Sequence, residues 1–397
     1  MTSTSVLGLG VAGLGMGATL MVRGILDHPG VRVVAGAART AAVRERFALD
    51  LEARGYASVE AMCADPSVDV VFVATPHEFH REHAVLAAEH GKHVIVEKPM
   101  ALTLDDCDAM ISAAERNGVK LIVGPTMSFA PAIRAMRQII AQNELGPLRM
   151  VNTWESNDFL YRARRSEELD TLLGGGVIYN QAPHQVDIVR FLTGGRVLSV
   201  RSAIGTWDKD RPTEGSYQVF LQCADGASAV IIYTGYDGFD SSEFQTWIEP
   251  GRRKSDGAYG QARRALHEDG KGASEGELKR TLFSWGGQAW ANAPRSTDQQ
   301  HFGITVAHCE RGDLRPWENG VAVYREQGRI VQPVPTSQGA PIRAEVIDEL
   351  CEAIRTDDTP AHDGRWGKAT MEVCLAIYQS AREQREISLE HQVTLKE

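Results

Sequence analysis

The sequence predicts a doubly wound parallel α/β sheet, followed by a second α+β domain built on a large, open, mostly antiparallel sheet. Three observations carry this. An apolar run, Val6 to Ala12, breaks into Gly13-Leu14-Gly15-Met16-Gly17-Ala18 and then a helical stretch. Apolar runs of strand length alternate with helical stretches as far as Val123. After about Phe129, segments of alternating or β-branched apolar residues replace that rhythm. The chain of 397 residues exceeds one ordinary core. We divide it at 1–128 and 129–397.

The first turn has two overlapping glycine registers. Gly8-x-Gly10-x-x-Gly13 would put the bend inside the apolar run, whereas Gly13-x-Gly15-x-x-Ala18 follows the run and opens the helix Ala18 to Leu26. The second has the strand–turn–helix context of a Rossmann unit, in which free backbone N–H groups at a helix start receive a pyrophosphate. Gly13, Gly15, Met16 and Gly17 are therefore expected to bind a dinucleotide. The second strand, Val31 to Ala37, ends not in an acid but in Ala38-Arg39-Thr40. With no carboxylate to repel a 2′-phosphate and Arg39 to pair with it, NADP is favoured and NAD is the alternative. A merely solvated Arg39 is the rival reading.

Helices over Ala41 to Asp50 and near Ser58 to Ala64 precede the strand Val68 to Ala74. Helix Phe79 to His90, strand His93 to Glu97, helix Thr103 to Asn117 and strand Lys120 to Val123 complete the alternation. Ligands of such sheets gather at the strands' carboxyl ends. Two of these ends are distinctive: Ala74-Thr75-Pro76-His77-Glu78-Phe79-His80 and Glu97-Lys98-Pro99. Thr75 and Pro76 should pack beside the cofactor ribose, and Lys98 should project over the sheet edge. In the second domain we expect a helix over Ala132 to Glu144 and strands over Val151 to Glu155, Arg196 to Gly205, Tyr217 to Cys223 and Ala227 to Tyr233. Gly251 to Gly276 reads as a mobile insertion or lid, and helices over Ile342 to Arg355 and Gly367 to Arg385 close the chain.

The formal charge of −10 argues against a general nucleic-acid partner. No apolar run reaches the ~20 residues of a membrane span, and the first strand leaves no room for a cleavable leader. The six cysteines are scattered, as reduced thiols in cytoplasm would be. A metal site is not expected: His77, His80 and His83 recur every three residues, but no carboxylate or thiol cluster joins them.

Together with Gly174-Gly175-Gly176, His184 and Asp187, these motifs resemble the Gfo/Idh/MocA family of nicotinamide-dependent oxidoreductases. The resemblance covers most of the chain. It implies a Rossmann domain carrying a cofactor, to which His80 and Glu97 also belong, and an α/β domain that joins subunits into dimers or tetramers through its sheet. It puts Lys98 and His184 at the nicotinamide. The family's usual aspartate, four residues before the histidine, is here Asn180, which can orient an alcohol but cannot take its proton. Tyr161 to Asp170 and Asn180 to Asp187 are similar to the 4,5-dihydroxyphthalate or phthalate dihydrodiol dehydrogenase subgroup, as are His301-Phe302-Gly303 and Asp313 to Pro316.

The chemistry expected is hydride transfer between nicotinamide and a secondary alcohol of a small cyclic substrate. His184 suits the proton task, with Asp187 fixing its tautomer if the stretch is helical; Lys98 would polarise the oxygen. Asn180 and His184 would also touch substrate. Arg162, Arg164 and Arg165 could fork onto a substrate carboxylate, or pair with Glu167, Glu168 and Asp170. Sugar or cyclitol oxidation, NAD-dependent glycoside cleavage and a non-catalytic cofactor sensor are the competing readings.

Overall fold

The computed structural model describes residues 6–245, 247–249, 252–253, 257, 259–269, 274–288, 301–335 and 341–396. Strands β1 (Leu7–Ala12), β2 (Val31–Ala37), β3 (Arg54–Tyr56), β4 (Val70–Val73), β5 (His93–Val96) and β6 (Leu121–Val123) form one sheet, ordered β3-β2-β1-β4-β5-β6. All neighbours pair in parallel. Every residue of β4 is buried, because helices cover both faces of a parallel sheet and leave no side for polar residues. The strand order reverses between β1 and β4, and a crevice opens there outside the carboxyl ends. The short edge strand β3 was not foreseen: Arg-Gly-Tyr carries no apolar run, and only pairing with β2 makes it a strand.

Helix starts follow side-chain chemistry. Ser58 Oγ accepts from Ala61 N, and Thr103 Oγ1 accepts from Asp106 N at 3.1 Å, with Asp105 and Asp106 in the first turn of helix Leu104–Arg116.

The second sheet contains β7 (Leu148–Ser156), β8 (Val197–Gly205), β9 (Ser216–Cys223) and β10 (Ser228–Thr234). A separate two-stranded ladder pairs β11 (Ile248–Glu249) with β12 (Arg252–Arg253). Strands β13 (Ile304–Cys309), β14 (Gly312–Trp317), β15 (Gly320–Arg325), β16 (Gly328–Pro333) and β17 (Ile387–Ser388) complete the nine, in the order β16-β15-β14-β13-β7-β10-β9-β8-β17. β7 and β10 run parallel; every other neighbouring pair is antiparallel. Buried and half-buried residues alternate along β10 and β13, so one face is covered and the other half-open.

Helix Gly364–Glu383 packs between the two sheets, against β8 on one side and against β6 and helix Leu104–Arg116 on the other. Its Trp366 is almost wholly buried. Helix Ala182–Thr193 lies against β7, β10 and this same helix. A side chain on its first turn therefore reaches the crevice from the second domain.

His80 sits between the two strand ends that border the crevice. Its ring is fully buried; Nε2 lies 2.9 Å from Thr75 O and Nδ1 2.9 Å from Pro99 O. Burial outweighs both carbonyls and lowers the ring's pKa from 6.5 to about 4. The unfolded chain thus binds one more proton between those values, so this stabilisation is complete above pH 6.5 and lost as pH falls towards 4. The loss should be about 3 kcal/mol from this ring. Denaturant unfolding across that window tests it: His80→Gln should shrink the pH slope by about one proton, and an unchanged slope would refute it.

Candidate active site

The glycine turn has the shape a diphosphate needs. Gly13 sits at φ +88°, and a Cβ there would lie 2.8 Å from Ala74 O, so only glycine allows β1 and β4 to converge here. Gly15 is the N-cap of helix Met16–Ile25, with no side-chain cap. A Cβ on Gly15 would meet nothing within 4 Å. It would stand instead in a cleft of about 1820 Å³ that also exposes Met16 and Gly17. Arg39, Thr40, Thr75, Pro76, Glu97, Lys98, Asn180 and His184 line the same cleft. This open cradle at a helix start fits a dinucleotide held by Gly13, Gly15 and Gly17.

Beyond β2, Arg44 Nη1 donates to Ala38 O at 2.7 Å and to Arg39 O at 2.8 Å, which fixes the backbone of that turn. The Arg39 side chain is exposed on the cleft wall. Thr75 Oγ1 lies 3.0 Å from His83 Nδ1.

Along the same cleft, groups from two domains meet. Lys98 Nζ donates to Asn180 O at 2.9 Å, across 82 residues of sequence. Burial lowers the lysine's pKa, opposed by Glu97. Burial also drives His184 well below 6.5, with Lys98 and Arg343 adding to the effect, so the ring is neutral near pH 7 and able to accept a proton. Glu97 is pushed up by burial against the pull of Lys98 and Arg343. The His184 ring packs against Phe302, centroids 5.0 Å apart. Asn180 Nδ2 donates to Gly174 O at 3.2 Å and Gly176 O at 2.8 Å, so its remaining polar atom, Oδ1, is an acceptor. Gly176 sits at φ +74°, and a Cβ would fall 2.1 Å from Glu214 Oε1. That contact explains the glycine that opens the helix carrying Asn180.

The expected pairing of Asp187 with His184 is not formed. Asp187 is buried on the far side of its helix and accepts from Ser128 Oγ and from Trp366 Nε1 at 2.5 Å. His184 Nδ1 is buried with no hydrogen-bond partner among the described residues. Three positions on a helix share a broad face, but here the packing of Trp366 divides it. Asp187 anchors the helix rather than the imidazole.

The three arginines line the cleft with their guanidinium groups engaged. Arg162 Nε and Nη2 donate to Asp158 Oδ1 at 2.8 and 2.6 Å. Arg164 lies over the Phe159 ring, 3.7 Å from its centroid, and donates to Phe159 O. Arg165 Nε reaches Glu168 Oε2 at 3.4 Å. His80 also borders the cleft, with its nitrogens directed at the two carbonyls above.

The expected insertion, Gly251 to Gly276, falls partly outside the described residues. Among those described, helix Glu275–Phe283 lies along the cleft mouth, and the segment after it returns to the first domain. Trp285 N donates to Leu14 O at 3.0 Å, its Nε1 donates to Asp50 Oδ2 at 3.0 Å, and its ring meets Phe47 edge-on at 4.9 Å. Lys279 binds Glu168 under this strap. Sequence reasoning missed Lys279, Trp285 and Arg343, since none belongs to a local motif. Among the described residues no group of three or more His, Cys, Asp or Glu is placed to hold a metal, and no helix is long and apolar enough to cross a membrane.

Fold and site together define an oxidoreductase with an NAD-binding Rossmann domain. Residues 7–125 match the oxidoreductase family with NAD-binding Rossmann fold, and residues 133–248 match the GFO/IDH/MocA C-terminal domain. The chain is 37% identical over 377 residues to 1-carboxy-3-chloro-3,4-dihydroxycyclohexa-1,5-diene dehydrogenase of Comamonas testosteroni, covering 94% of both chains. It is 30% identical over 175 residues to trans-1,2-dihydrobenzene-1,2-diol dehydrogenase of Sus scrofa, covering 44% of this chain and 51% of that one. The solved structure of a protein from Bordetella bronchiseptica RB50, assigned as a dehydrogenase, superposes with a TM-score of 0.92 at 40% identity, over 97% of this chain and 100% of that one. The chain belongs to the GFO/IDH/MocA family of oxidoreductases.

Replacing Asp187 by alanine leaves the Trp366 indole N–H and the Ser128 hydroxyl without their acceptor in a dry core. The expected cost is about 3 kcal/mol of stability, read by denaturant unfolding. The acid limb of any pH–rate profile should stay in place; a displaced limb would return Asp187 to the imidazole.

Proposed function

We propose that this chain is a dehydrogenase that prefers NADP and oxidises a secondary alcohol of a cyclic cis-diol bearing a carboxylate. The observation that carries the reading is that Lys98, from the first domain, and His184, from the second, line the same cleft as the glycine cradle. Names of relatives support a ring diol as the substrate class: one acts on a carboxylated dihydroxycyclohexadiene and one on a trans-dihydrobenzene diol, whose stereochemistry is opposite to the cis diol proposed.

Gly13, Gly15 and Gly17 would hold the diphosphate of the cofactor, with Thr75 and Pro76 along its ribose. The bound nicotinamide supplies a hydride acceptor. Lys98 turns an N–H towards the substrate oxygen while another holds Asn180 O; this steadies negative charge as the hydroxyl proton leaves. His184, kept neutral by burial, receives that proton. Asn180 Oδ1 accepts from a neighbouring hydroxyl and so prefers a diol. The alcohol carbon loses hydride and its oxygen loses a proton, which gives a ketone. In a cyclohexadiene diol this ketone tautomerises to an aromatic phenol, which draws the reaction forward.

Reduction of NADP followed at the nicotinamide absorbance, across carboxylated and plain cyclic diols and polyols, tests the reading. His184→Ala and Lys98→Ala should each lower kcat by about 10²–10⁴. Wild-type turnover by the double variant would refute it. Full activity on polyols with none on cyclic dienediols would favour the sugar or cyclitol reading.

Arg39 supports the cofactor preference, because it stands exposed where an acid would otherwise meet the adenosine ribose. Fluorescence titration should show NADPH binding more tightly than NADH, and Arg39→Ala should erase most of a preference of about tenfold or more. Tighter NADH binding by the wild type would overturn the assignment.

A further inference from the structure

Arg343, in the first turn of helix Pro341–Thr356, lines the cleft beside Glu97, Lys98 and His184. Its Nε is buried and has no hydrogen-bond partner among the described residues. Burial lowers its pKa and Glu97 opposes the shift, while Arg343 in turn depresses His184. A sealed guanidinium N–H without an acceptor costs free energy that folding alone does not recover, so a ligand is the natural acceptor.

The other cations near this end are engaged. Arg162 holds Asp158, Arg164 holds Phe159 O, and Arg165 and Lys279 hold Glu168. Lys98 holds Asn180 O. Around the reacting pair the inventory is two cations, Lys98 and Arg343, one carboxyl whose charge burial disfavours, Glu97, and one neutral imidazole, His184. Even with Glu97 ionised, Lys98 and Arg343 leave the balance positive, which favours an anion beside them. A planar guanidinium takes a carboxylate through two parallel N–H bonds.

We infer that Arg343 is the residue that selects substrates bearing a carboxylate, by binding that group while Lys98 and His184 address the hydroxyl. The inference deepens the function proposed above and rests on it for the identity of the substrate. It moves the anion anchor away from Arg162, Arg164 and Arg165 to a helix late in the chain.

The test is a binding experiment on the NADPH complex, read by quenching of cofactor fluorescence. The probes are 3,4-dihydroxybenzoate and catechol, which differ only by the carboxylate. The wild type should bind the benzoate the more tightly. Arg343→Gln should weaken the benzoate by about 100-fold and catechol by less than about threefold, with NADPH affinity unchanged. Arg343→Lys, which keeps the charge without the fork, should recover part of the loss; should the glutamine variant not fold, the lysine variant's selective loss of about tenfold for the benzoate carries the test alone. Equal weakening of both probes, weakened NADPH, or no change in either variant would overturn the inference. Failure of the wild type to oxidise any cyclic diol would refute the proposed function while leaving the selective binding, and so the anchor, intact.

Discussion

One hydrogen bond joins the halves of the site: the Lys98 ammonium, at the end of β5, donates to the backbone carbonyl of Asn180 at the end of helix Gly176–Asn180. The first domain can shape a dinucleotide cradle alone, but its lysine has no fixed direction until the second domain supplies that oxygen. Behind the lysine, the buried His80 ring lies between Pro99 O and Thr75 O, and in its neutral form donates to one of them. The Asn180 carbonyl is placed firmly, because Asn180 ties its amide back to Gly174 and Gly176, and Gly176 abuts Glu214 where no Cβ fits.

Burial then sets the electrostatics. Lys98 and His184 are pushed down and Glu97 is pushed up, each towards its uncharged form, with desolvation as the largest cause in every case. Both downward shifts have the same cause, the removal of water from the charged form. The strap ending in Trp285 adds to this dryness, because its contacts with Leu14, Asp50 and Phe47 bring second-domain chain over the mouth of a first-domain cleft.

A buried polar network behind the cleft keeps helix Ala182–Thr193 in register. Ser128 Oγ lies 2.9 Å from His362 Nε2, and His362 Nδ1 lies 2.9 Å from Glu349 Oε2. Ser128 also donates to Asp187, which receives the Trp366 indole. The arrangement of serine, imidazole and carboxylate looks like a hydrolytic triad. Yet all three are buried or nearly so, none lines the cleft, and the serine already donates to a carboxylate. It joins the interdomain passage at Ser128 to three helices, so the orientation of His184 depends on groups remote from the chemistry.

The sequence by itself determined the first sheet, its glycine turn and the two loops at its carboxyl edge. Each is a local signal: a run of apolar residues, a position that excludes Cβ, a proline that ends a strand. It also marked Lys98, His184 and Asn180, through motifs that keep their order along the chain. Only the tertiary structure decided which partners these groups have. Asp187 is three residues from His184 yet belongs to Trp366, and Arg164 carries a charge suited to a substrate yet lies over Phe159. Arg343 has no motif around it and enters the site because helix Pro341–Thr356 returns to the first domain. Local pattern reports which residues one element presents, whereas burial and pairing depend on packing between elements distant in sequence, which no short stretch encodes.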